Sequence, residues 1–167
     1  MLDEALQEAI NRQINLEFYA AYTYLSMAAH FESVNLLGFA HWMARQSREE
    51  QEHAMRFYNY VHERNSRVTL LPINQPPVDF GTPLEVFQMA LEHEQKVTRA
   101  IHDLYELARQ ENDYPTQVML QWFIEEQVEE EKNAEEVIAQ LQMIGEDKAA
   151  LFLLDRALGE RGFEDDD

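Results

Sequence analysis

Apolar residues recur along this chain at steps of three and four, the spacing of one face of an α-helix. Four long stretches carry the pattern. One face of the first reads Ile10, Ile14, Glu17, Ala21, Tyr24, Ala28 and Phe31, and one face of the second reads Met43, Gln46, Glu50, His53, Phe57 and Tyr60. The third gives Phe87, Ala90, Glu94, Val97, Ile101 and Leu104; the fourth gives Leu120, Phe123, Gln127, Glu130, Ala134, Val137 and Leu141. Each stripe is apolar at both ends and polar near its middle.

The pattern predicts helices over about residues 3–33 and 36–63, a third from Pro83, a fourth from the segment Asp113-Tyr114-Pro115-Thr116, and a short fifth over about 147–158. Thr82 is placed as an N-cap, Pro83 as the first helical residue and Glu85 as the return arm of a capping box. Pro115 suits a first turn, and Gly145 closes the fourth helix. Residues 159–167, ending in Glu164-Asp165-Asp166-Asp167, read as a frayed acidic tail.

Links between helices one and two, and between three and four, are short, so each pair is expected to form an antiparallel hairpin. Residues 65–81 are long enough to run the length of a bundle and contain three prolines. Two hairpins joined by one long crossover make an all-α, ferritin-like four-helix bundle, although topology alone leaves other four-helix folds open. The 167 residues are expected to form one domain, with the bundle over about 3–144.

Composition narrows the chemistry. A hydrophobic fraction of 46% supports a packed core, while five glycines and five prolines are too few for a chain of many short strands. The absence of cysteine removes disulfides, thiolate zinc sites and cysteine nucleophiles. A net charge of −19 disfavours nucleic acid and anionic lipid and favours cations. The chain opens on a charged, helix-like segment and has no apolar run long enough for a bilayer, so a cytoplasmic protein with no membrane partner is expected.

The polar breaks are the candidate chemistry. A single glutamate on one apolar stripe ordinarily means a misdrawn face or a side chain reaching outward. Four breaks, at Glu17, Glu50 with His53, Glu94, and Gln127 with Glu130, should meet at one depth when similar helices pack antiparallel. Four carboxylates in a low-dielectric interior must be protonated or neutralised, and two divalent cations would cancel them. One imidazole among oxygen donors, without sulfur, suits iron or manganese better than structural zinc. Oxidation of both ions would add two positive charges, which oxide from oxygen or water offsets.

These residues, in the segments "NLEFYAAYTYL", "REEQEHA", "EHEQ" and "LQWFIEEQVEEEK", resemble the bacterial non-haem ferritins over essentially the whole chain. The known ferritin-like carboxylate pattern is one Glu from each of two helices plus a Glu-x-x-His from each of the others. This chain departs from it on helix four, with Gln127-x-x-Glu130, which resembles storage ferritins that pass iron onward. The resemblance implies that Glu17, Glu50 and His53 bind a first iron, and that Glu50 bridges to a second held by Glu94 and Glu130 with Gln127 close by. It implies a third iron site at Glu49, Glu126, Glu129 and Glu130. It also places Tyr24 beside the centre as an electron donor, for which core packing is the alternative, and makes Glu52 a candidate for mineral nucleation.

The implied function is oxidation of Fe²⁺ by O₂ or hydrogen peroxide and storage as ferric oxide mineral in a hollow homo-oligomeric shell of 24 subunits. Haem is not expected, because Gln51 stands where bacterioferritins carry the haem-binding methionine. Two other readings stay open on the residues alone. One is a di-iron or di-manganese oxidase or peroxidase that retains its metals; the other is a non-enzymatic bundle with solvated acidic stripes.

Overall fold

A computed structural model describes residues 1–160. It contains five helices: α1 (Glu4–Ser33), α2 (Leu37–Glu63), α3 (Pro83–Gln110), α4 (Tyr114–Ile144) and α5 (Lys148–Glu160). Among the described residues there is no strand. The helix limits move by a residue or two from expectation. Asp3 and Leu36 are N-caps and not helical residues, and α5 continues past Leu158 to Glu160. Of the expected acidic tail, residues 159 and 160 are therefore helical, and 161–167 lie outside the described residues.

The boundaries have local causes. Asp3 accepts the Ala5 N–H at the head of α1, Thr82 and Glu85 form the full capping box of α3, and Asp113 accepts the Thr116 N–H at the head of α4. Three helices end on asparagine in the left-handed region: Asn35, Asn65 and Asn112. Each allows the chain to turn back and bond the last free carbonyls, as in Asn65 N–H to His62 O (2.9 Å) and Ser66 N–H to Val61 O (3.0 Å). Gly145, with φ 58°, serves α4.

The crossover runs along α1 from end to end. Ser66 Oγ accepts the Leu2 N–H, the Asn11 amide bonds Arg67 O and Thr69 N–H, and Ser26 Oγ donates to Pro77 O. His30 Nε2 meets Gly81 O at the far end. The second hairpin is thereby delivered to the same end of the bundle as the start of α2. Helix α1 packs on α2, α3 on α4, and α1 on α3, with α5 laid mainly against α2.

Every residue of the four stripes is buried. The apolar ones divide into two cores. One holds Tyr24, Met27, Phe31, Phe39, Met43, Phe87, Val137 and Leu141, capped by Leu154 and Leu158 of α5. The other holds Ile10, Ile14, Phe57, Val97, Ile101, Leu104, Leu120 and Phe123. Between them lies a belt containing Glu17, Gln46, Glu50, His53, Glu94, Gln127 and Glu130, all buried.

Candidate metal centre

The belt exists because each helix changes from apolar to polar at the same level, between apolar walls on both sides. Phe57 and Phe123 stack at 4.0 Å on one side; Trp42 and Phe87 pack at 4.8 Å within the other core. Glu17 and Glu50 are 0% exposed, Glu94 1%, and His53 and Glu130 5%. Such groups are buried only when something neutralises them.

Within the belt, Glu17, Glu50 and His53 offer ligand atoms within 4.8 Å of one another. His53 Nδ1 is 3.8 Å from Glu50 Oε1. Gln13, one turn before Glu17, donates to its Oε1 at 2.7 Å. Glu17 Oε2 and both oxygens of Glu50 have no protein donor. Three acceptor oxygens in a dry interior, aimed at one another and at an imidazole, are the donor set a cation requires.

The remaining carboxylates are held by neutral donors. Tyr24 Oη donates to Glu94 Oε1, and the Gln127 amide nitrogen bonds Glu94 Oε2 and Glu94 O, each at 3.2 Å, and Thr98 Oγ1, also at 3.2 Å. Gln46 Nε2 donates to Glu130 Oε2 at 2.7 Å. These bonds fix the side chains without supplying positive charge.

Electrostatics follows from burial. Desolvation first, with a smaller push from Glu94, raises Glu17 to about 7, although the neighbouring Glu50 carboxyl and the Gln13 amide pull it back. Desolvation, then Glu94 and Glu17, raises Glu50 well above the carboxylate range. Glu130 is raised well above it too, by burial and then Glu94 and Glu49. Glu94 is raised by burial against the pull of Tyr24 and Gln127. Without a cation, proton uptake is what can neutralise the Glu17–Glu50 pair. His53 moves the other way, lowered to about 4 by burial and then by Arg56, so its ring is neutral and free to ligate.

A second group forms on the flank of α2 and α4, where His53, Glu126 and Glu130 have ligand atoms within 4.8 Å of one another. It lines an open cavity of about 850 Å³, together with Trp122, Glu49 and Glu129. His53 and Glu130 therefore face two ways. Glu126 is partly buried and Glu129 exposed, while Glu49 takes Arg45 Nε at 2.8 Å.

A family model described as a ferritin-like domain matches residues 7–144. The chain is also 41% identical over 166 residues to the bacterial non-heme ferritin of Staphylococcus aureus (strain USA300), spanning 99% of this chain and 100% of that protein. The chain belongs to the ferritin family. The ferritin of Staphylococcus haemolyticus (strain JCSC1435) is 38% identical over the same shares. Among solved structures, an open pore ferritin from the hyperthermophilic archaeon Archaeoglobus fulgidus superposes with a TM-score of 0.96 at 48% identity, covering 97% of this chain and 100% of that one. An engineered closed form of the same ferritin gives 0.96 and 48%, covering 98% and 100%.

For this ferritin, the expected residues are brought together unevenly. Glu17, Glu50 and His53 form one compact group, with Glu94, Gln127, Glu130 and Tyr24 around it in the belt. A second compact group joins Glu130 with His53 and Glu126. Sequence reasoning passed over Gln13 as a partner and gave Gln46 no role, although both sit on the buried side of their helices. It also passed over His93, whose buried Nε2 has no partner and whose ring meets Tyr24 edge-on at 6.3 Å. Nothing in the spacing distinguishes His93, because it is off the α3 stripe.

Proposed function

We propose that this chain is the subunit of an iron-storage ferritin. It oxidises Fe²⁺ to Fe³⁺ at a centre inside the bundle, using O₂ or hydrogen peroxide. It deposits the product as ferric oxide mineral within a hollow homo-oligomeric shell of 24 subunits in the cytoplasm. Residues 1–167 act as one ferritin-like domain. The observation that carries the reading is Glu50: a fully buried carboxylate with both oxygens unpartnered, beside Glu17 and the neutral ring of His53.

Fe²⁺ is substrate here, not a resident cofactor. Glu17, Glu50 and His53 take one ion, and Glu50 turns its second oxygen toward another that Glu94 and Glu130 receive. Gln127 orients Glu94 through its amide nitrogen. Entering cations displace the protons that burial favours on Glu17, Glu50 and Glu130. Tyr24, kept protonated by burial and by Glu94, holds a transferable proton and electron at the edge of the centre. Glu126, Glu129, Glu130 and Glu49 form the third site on the cavity flank, with Glu52 as a nucleation residue beyond it. Haem plays no part, since Gln51 offers no thioether ligand.

Anaerobic loading with Fe²⁺ followed by O₂, read by ultraviolet absorbance beside particle size, tests the proposal. Rapid ferric absorbance, uptake of many more ions than the belt can hold, and a large particle are expected. Saturation at the belt in a small oligomer would instead identify an oxidase that keeps its metals. Replacing Glu50 and His53 together by alanine should abolish the fast phase and leave assembly intact; an unchanged rate would rule out the centre.

A further inference from the structure

Arg56 projects from α2 one turn beyond His53, and its guanidinium carbon lies 3.9 Å from the centre of the Trp122 ring and 5.9 Å from that of Phe123. The Trp122 ring in turn meets His53 edge-on at 5.5 Å. Arg56, Trp122 and His53 thus make a stack at the mouth of the cavity that Glu126 and Glu130 also line. Cation–π contact holds the guanidinium in place without a carboxylate. Among the described residues Arg56 forms no ion pair, yet Glu126 and His53 both feel its charge.

This matters because the belt and the cavity-side group share His53 and Glu130 but differ in charge. The belt presents four carboxylates. The cavity-side group presents two carboxylates and a neutral imidazole, with a fixed positive charge on its flank. We propose that Arg56, docked on Trp122, sets the affinity of the cavity-side group, keeping cations loosely held so that they exchange between the buried centre and the cavity. The inference rests on the ferritin reading above. Coulomb repulsion scales with ionic charge, so Arg56 disfavours Fe³⁺ at the mouth half as much again as Fe²⁺. Arg56 thus weakens the hold of Glu126 and Glu130 on a cation, and more for Fe³⁺ than for Fe²⁺.

Zn²⁺, which undergoes no oxidation, is the probe, titrated calorimetrically at fixed ionic strength into the assembled wild-type protein and its variants. Two classes are expected, a tight one removed by Glu50→Gln and a weaker one removed by Glu126→Gln. Arg56→Gln should tighten the weaker class about three- to tenfold and change the tight class, which shares His53, by less. Arg56→Lys, which keeps the charge, should stay near wild type. With Fe²⁺ and O₂, Arg56→Gln should keep the first-turnover rate but slow recovery between successive iron additions.

An unchanged weaker class in Arg56→Gln would overturn the proposal, as would equal tightening of both classes, which marks a general surface-charge effect. A weaker class that survives Glu126→Gln would also overturn it, since the site would then lie elsewhere. Loss of the tight class from the wild type, by contrast, would remove the ferritin centre itself, a failure distinct from any result on Arg56.

Discussion

Glu50 stores a cost in the metal-free protein. Among the described residues its carboxylate has no hydrogen-bond donor and no ion pair with Lys or Arg; Glu17 and the neutral His53 lie beside it. Replacing Glu50 with glutamine removes a carboxyl whose ionisation burial opposes and gives Glu17 a permanent amide donor. Glu50→Gln should therefore raise metal-free stability by about 1–2 kcal/mol, measured as a melting shift of a few degrees, while abolishing stabilisation by added Zn²⁺. A lower melting temperature would show that the carboxylate is already neutralised by something else. The pH dependence follows the same logic. A carboxyl raised to about 7, as at Glu17, binds a proton more tightly folded than unfolded, so metal-free stability falls as pH rises from about 4.5 to 7. Melting scans across that range should show the decline, and saturating Zn²⁺ should flatten it because the cation replaces the proton.

Helix α5 shows how elements are fixed. Leu36 gives α2 no side-chain cap; Asp155 supplies one from α5, its Oδ1 accepting the N–H groups of Gly38 (2.9 Å) and Phe39 (3.0 Å). The negative charge also opposes the positive end of the α2 dipole. The helices approach so closely that a Cβ on Gly38 would fall 1.6 Å from Asp155 O. Gly38→Ala must displace α5, and Asp155→Ala should cost about 1–2 kcal/mol. Hydrogen exchange should show faster opening of α5 in both, with α3 unaffected; equal loosening of α3 would mean that α5 supports the whole bundle.

The legibility of the chain divides at the same scale. Helix spans, the capping box and the long crossover were readable because they depend on neighbours within one segment. The stripes also placed Glu17, Glu50, His53, Glu94 and Glu130 inward. Asp155 capping α2, Arg56 lying on Trp122, and the grouping of Glu130 with Glu126 arise only when separate helices meet, and periodicity carries no record of that.

At the scale of the whole molecule, a chain with net charge −19 repels its own copies unless an apolar face outweighs the charge. Such a face lies along the crossover, where Ile14, Phe18, Leu70, Leu71 and Ile73 line a groove of about 410 Å³ and Leu70 is 65% exposed. Within the proposed shell a second copy is expected to cover it. Leu70→Asp with Ile73→Asp should convert the large particle into smaller species on light scattering, with helical content retained. An intact particle would place the contacts elsewhere.

The central requirement is a buried acidic interior that takes up paired cations. Anomalous diffraction at the iron edge, from crystals soaked without oxygen in a ferrous salt, reads this directly. Two iron peaks are predicted within each bundle, the first among Glu17, Glu50 and His53 and the second toward Glu94 and Glu130. Iron confined to the outer surface, with the belt holding none, would contradict it.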